Sequence, residues 1–138
     1  MKNRNSAWFV YVDGASLGNP GRSGAGIVAL DEYGAELWRD SVHLGHMTNN
    51  MAEYEALIHA LRRAVLSSIE SVTIYTDSLL VANQMKGVYK VKNGNMQAYV
   101  QKALELTKNL AHFEIHHIDR EQNRVADRLA KEAAEKKG

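Results

Sequence analysis

Cysteine is absent from all 138 residues. Its absence removes disulfides, thiolate catalysis and cysteine-based zinc sites from the accessible chemistry, and it fits a cytoplasmic setting. Proline occurs once, at Pro20. No apolar run approaches the ~18 to 20 residues of a membrane span, so no membrane partner is expected. The opening residues Met1-Lys2-Asn3-Arg4-Asn5-Ser6 lack the apolar core of a signal peptide. They and residues 135–138 read as frayed tails of one domain covering 1–138. Net charge is also nearly missing: 17 basic against 16 acidic side chains leave +1. Total charge therefore does not announce a nucleic-acid binder.

What is present is an ordinary globular mixture, 45% hydrophobic and 24% charged. Its charge is unevenly spread. Lys86, Lys90, Lys92, Lys102 and Lys108 face the single acid Glu105 between residues 83 and 110. The periodicities predict strands over 7–12, 23–30, 35–44, 71–76 and 112–118. They predict helices over 50–66, from Asp77 or Ser78 to about Lys86, over 96–110 and over 123–136. Asp31-Glu32-Tyr33-Gly34 is a hairpin turn, so the first three strands form an antiparallel meander. The later strand–helix–strand order implies right-handed crossovers and parallel pairing. The class is α/β, with a five-stranded mixed sheet flanked by helices.

Four carboxylates stand out. In FVYVDGASLGNPG, Asp13 ends a core strand where glycine, asparagine and proline predict a turn. Asp77 ends the fourth strand. Sites gather at the carboxyl ends of parallel strands, so these two meet if their strands are neighbours. Either one alone also suits a turn or a helix cap. Glu53 shares the stripe of Leu57, Ala60, Leu61 and Ala64, which puts a charge on the buried side of its helix. Asp127 sits inside the last helix beside Ala126, Leu129 and Ala130, where Arg124 or Arg128 could pair with it. Brought together, four carboxylates repel, and hard divalent cations with oxygen ligands relieve that repulsion. The set suggests a site for two ions, Mg²⁺ or Mn²⁺.

The segments YVDGASLGNPG, TNNMAEYEAL, IYTDSLLV and REQNRVADRLA, in that order, resemble a type 1 ribonuclease H over roughly residues 9–134. The resemblance implies a ribonuclease H-like fold with sheet order 3-2-1-4-5. It implies Asp13, Glu53, Asp77 and Asp127 as catalytic, metal-binding acids, with Asp13 bridging both ions. The implied reaction is hydrolysis of the RNA strand of an RNA–DNA hybrid, leaving 5′-phosphate and 3′-hydroxyl ends with little sequence preference. Double-stranded RNA is a further conceivable duplex partner, and no obligate protein partner is implied.

Around those acids, Gly14, Gly18 and Gly21 would let backbone approach a sugar–phosphate chain. Gly14 and Ser16 would read 2′-hydroxyls, while Asn19, Asn49 and Asn50 would contact sugars, base edges or phosphates. Thr48 is the phosphate ligand on the DNA strand; Asn49 and Asn50 also suit helix capping. Gln84, Arg120 and Asn123 complete the expected substrate contacts. Three departures from the family stand out. The link Asp119–Gln122 is short and lacks the loop histidine of longer-loop members, with His116 and His117 in the preceding strand instead. Lys86, Lys90 and Lys92 are the only counterpart of a basic protrusion, so affinity from counterion release should be modest. Leu79 stands where relatives often carry glutamine. The rivals are another nuclease of the same fold and a hybrid- or RNA-binding module without chemistry.

Overall fold

The computed structural model describes residues 7–92 and 94–136. The expected tail at 1–6 lies outside the described residues, as do 137 and 138. The chain runs β1 (Ala7–Leu17), β2 (Gly21–Leu30), β3 (Glu36–Met47), α1 (Asn49–Leu66), β4 (Ser71–Thr76), α2 (Leu79–Met85), α3 (Gly94–Thr107), β5 (His112–His117), a 3-10 turn (Arg120–Asn123) and α4 (Arg124–Glu135). The strands form one sheet in the order β3-β2-β1-β4-β5. β1, β2 and β3 pair antiparallel, and β4 joins β1 and β5 in parallel.

The largest difference from expectation concerns β1. Its sequence predicts a turn from Gly14, yet the strand continues to Leu17, because residues 13–17 pair with 22–26 of β2. Ladder hydrogen bonds there outweigh the local preference of glycine and serine. Only Gly18, Asn19 and Pro20 turn. At the other hairpin the expected turn forms, with Asp31 Oδ1 accepting from the N–H groups of Tyr33 (2.8 Å) and Ala35 (2.9 Å).

Alternation along β2 sorts its residues between two layers. Ala25, Ile27 and Ala29 join Val10, Val12, Val72 and Ile74 in the main core, against Leu57, Ile58 and Leu61 of α1 and Val81, Met85 and Val100 from α2 and α3. Gly24 and Gly26 face α4 instead, and a side chain at Gly26 would collide with the backbone of Ala126 and Ala130. The alanine stripe of α4 (Ala126, Ala130, Ala133, Ala134) is fully buried by this close approach. Ser41 Oγ donates to Leu129 O at 2.7 Å, pinning the same helix to β3.

Candidate active site

The register of the parallel pair β1–β4 places the first two acids. Val12 lies opposite Thr76, so the next residues, Asp13 and Asp77, stand side by side where β4 ends. Glu53 comes from the first turns of α1. Thr48 caps that helix, its Oγ1 accepting from Met51 N at 3.2 Å. Gly14 has no side chain because the backbone of Ala52 and Glu53 occupies that space. Its N–H donates to Glu53 Oε1 at 3.0 Å. Carboxylate oxygens of Asp13, Glu53 and Asp77 all lie within 4.8 Å of one another. Asp127 approaches from α4, outside that group of three, and its charge acts on Asp13.

Two of the four acids are buried, Asp13 at 4% and Glu53 at 6% exposure, whereas Asp77 and Asp127 are half-buried. Burial pushes the Asp13 carboxyl far above its ordinary range, and the charges of Glu53, Asp77 and Asp127 add to it. Burial likewise raises Glu53, reinforced by Asp77; the Gly14 N–H, a hydrogen bond with Asp13 and the charge of Arg120 oppose the rise. Acids forced together in this way match a divalent cation: each offers hard oxygen, and the cation removes the repulsion.

The remaining expected contacts divide. Asn123 is 1% exposed, so it lies beneath the site. Its amide donates to Val12 O at 2.9 Å and to Asp77 Oδ2 at 3.4 Å, tying the ends of β1 and β4 together, and its Oδ1 has no partner. Gln84, expected at the substrate, is 7% exposed in the core, its Oε1 taken by the Tyr54 hydroxyl at 2.7 Å. Helical periodicity carries it inward with Val81 and Met85. Gly14 approaches the backbone of α1 closely. Ser16 Oγ sits at the hairpin end within hydrogen-bonding reach of Gly18 O and of Met47 O, the latter at 3.1 Å. Asn19 Oδ1 accepts from Asn49 N at 3.0 Å, which leaves the Asn19 NH₂ free to donate outward. Asn50 is exposed at the start of α1. Arg120 is exposed and lines an open cleft of about 450 Å³ with Asp119, Glu121, Arg124 and Asp127. His117 is exposed at the end of β5. Asp127 pairs with neither arginine but with Lys131, at 3.2 Å. That i, i+4 spacing was open to sequence analysis, which overlooked it.

A mixed sheet that gathers acids from β1, α1, β4 and α4 over one strand end defines a carboxylate-based, cation-handling enzyme of the α/β class. The sequence model of a family described as reverse transcriptase-like matches residues 11–133. EbsB of Enterococcus faecalis, described only as a hydrolase, is 36% identical over 131 residues, covering 92% of this chain and 93% of its own. Ribonuclease HI of Halobacterium salinarum is 34% identical over 131 residues, 95% of this chain and 66% of its own length. The crystal structure of RNase H1 from that archaeon superposes with a TM-score of 0.89 at 35% identity, covering 92% and 96% of the two chains. LC11-RNase H1, from compost, was solved in complex with an RNA/DNA hybrid; it gives 0.87 at 38% identity, covering 92% and 96%. The chain belongs to the type 1 ribonuclease H family. It spans about a third of the mycobacterial bifunctional protein Rv2228c, which it also matches.

Proposed function

We propose that this chain is an endoribonuclease domain that hydrolyses the RNA strand of RNA–DNA hybrids, giving 5′-phosphate and 3′-hydroxyl ends. One observation carries the proposal: Asp13, Glu53 and Asp77 converge within 4.8 Å, in a family of which LC11-RNase H1 has been seen holding an RNA/DNA hybrid. Asp13, Glu53, Asp77 and Asp127 would hold two Mg²⁺ ions, or Mn²⁺. Bound divalent ions supply an activated water and neutralise the departing 3′-oxygen. The chain does the rest. The Gly14 N–H orients Glu53, and Asn123 orients Asp77. Half-exposed Asp127, steadied by Lys131, is the acid best placed to orient a water.

For the duplex, the start of α1 offers neutral donors: the free NH₂ of Asn19, the Asn49 and Asn50 side chains and the Thr48 hydroxyl. Ser16 holds the hairpin that carries Asn19. The exposed guanidinium of Arg120, in the cleft beside Asp127, would supply charge toward phosphate. Neutral donors and one guanidinium suit sugar and phosphate contacts, which carry no sequence information, so cleavage would have little sequence preference. We place the protein in the cytoplasm; no helix among the described residues is long and apolar enough to cross a membrane.

The test is cleavage of one end-labelled RNA strand offered paired with DNA, paired with RNA, and alone. Each duplex is given Mg²⁺, Mn²⁺ or chelator, beside an Asp13→Asn control. Metal-dependent cutting of the hybrid, lost in the variant, is the expected result. A folded protein that cuts no duplex would overturn the proposal and favour a binding module. Cutting of the RNA–RNA duplex at a comparable rate would widen the substrate class.

A further inference from the structure

Glu53 and Asp77 come from different elements, so whatever ties those elements together bears on how far apart the two carboxylates sit. Glu53 stands on α1. Asp77 immediately precedes Ser78, the N-cap of α2. With seven residues, α2 is too short to persist without tertiary anchors. Its start is fixed locally: Ser78 Oγ accepts from Val81 N at 3.1 Å, and Thr76 Oγ1 accepts from Ser78 N at 3.0 Å. Its far end is fixed by Gln84, whose Oε1 accepts the Tyr54 hydroxyl at 2.7 Å. Among the described residues this is the one side-chain hydrogen bond joining α2 to another helix.

Both partners are buried, Tyr54 completely, so water does not replace the bond when it is lost. The Tyr54 ring is held in turn. It stacks on Tyr99 of α3 with centroids 5.8 Å apart, and the Tyr99 hydroxyl donates to Glu55 Oε2 at 2.8 Å. Tyr54 adjoins Glu53 in sequence, and Gln84 lies on the helix that Asp77 leads into. The bond therefore ties the helix that carries Glu53 to the helix that begins two residues after Asp77.

We propose that the Tyr54–Gln84 hydrogen bond is a positioning strut that locks α2 against α1 and thereby sets the separation of Glu53 and Asp77, and with it the affinity of the cluster for a divalent cation. The inference rests on the cluster being a cation site, as argued above. Neither residue touches ion or substrate. Without the strut, α2 shifts against α1 and carries the β4–α2 junction, and Asp77 with it, out of its place beside Glu53.

Mn²⁺ binding, measured by calorimetry on the protein without nucleic acid, tests this. Tyr54→Phe deletes one oxygen and keeps the stack on Tyr99. It should weaken Mn²⁺ binding about tenfold, the scale seen when a group supporting a ligand is removed. The metal concentration for half-maximal cleavage should rise by the same factor, with KM for the hybrid unchanged. Tyr54→Phe with Gln84→Met leaves no orphaned amide, so it should regain thermal stability yet still bind Mn²⁺ weakly. Should Tyr54→Phe fail to fold, this double variant carries the test. Tyr99→Phe should leave affinity as in the wild type. Wild-type affinity in the Tyr54 variants, whatever their stability, would overturn the proposal. A wild-type protein that binds no Mn²⁺ would overturn the cation site itself and the strut with it, an outcome the wild-type measurement alone identifies.

Discussion

Asp13 and Glu53 make one half of the acid cluster, and Asp77 and Asp127 the other. The chemistry is the same and the settings differ. The inner pair is buried, pressed into place by backbone, with Gly14 against α1 and Gly26 opposite Asp13 in the sheet against α4. The outer pair is half-exposed and held by side chains, Asp77 by the Asn123 amide and Asp127 by Lys131. The inner pair is thus a pair of acids forced toward their protonated form, which costs the empty protein stability. The outer pair is adjustable and costs little. The price of function falls on two residues out of four.

The comparison breaks most visibly at its inner member. Asp13→Asn should lower hybrid cleavage by about a thousandfold or more, on the order of 4 kcal/mol of barrier. The same change should stabilise the metal-free protein by on the order of 2 kcal/mol at neutral pH, because a forced carboxyl is gone. Denaturant unfolding in chelator, beside the cleavage assay, checks both halves. A loss of stability would contradict the strain assigned to this residue.

Gly26→Ala comes next, with a cost of about 3 kcal/mol or more, since the new methyl meets helix backbone that cannot yield. Gly34→Ala, where φ is +86° but the space is open, should cost only about 1 kcal/mol. Thermal melts of the two variants separate close packing from conformational freedom.

The pH dependence sharpens the comparison. Asp13 and Glu53 titrate above their ordinary values of 3.8 and 4.5 when folded. The native state therefore holds protons that the unfolded chain releases, and these groups favour folding most at low pH. Their contribution is lost as pH rises through the folded values. Stability in chelator should fall from about pH 5 upward through neutral pH. Saturating Mg²⁺ should flatten that slope, because the cation takes over the role of the protons. A slope unchanged by Mg²⁺ would refute the cation site.

The smallest effect belongs to the outer member. Asp127→Asn should change stability by less than about 0.5 kcal/mol, since the ion pair with exposed Lys131 that it gives up is offset by relief of its repulsion with Asp13. It should slow cleavage by about tenfold, well short of Asp13→Asn.

Much of this was legible in the sequence. The strand and helix order, the buried placement of Glu53 on its stripe and the candidacy of all four acids followed from periodicity and from four ordered motifs. What escaped it depends on contacts distant in the chain. Residues Gly14 to Leu17 look like a turn until β2 supplies their hydrogen bonds. Gly14 looks like room for a ligand until α1 fills it. Gln84 and Asn123 look like polar surface, yet both end up inside, because nothing local marks a polar side chain whose partner lies 30 or 111 residues away.

The seating of α4 on the glycines of β2 has a consequence for the order of assembly. Three of the acids are supplied by the chain up to residue 77. The fourth arrives only with residue 127, on a helix whose docking surface has been waiting on a different strand. A nascent chain can therefore form a three-acid nest before the last helix is made. A cation captured there would template the closing of the fold, so metal in the medium should speed refolding as well as catalysis.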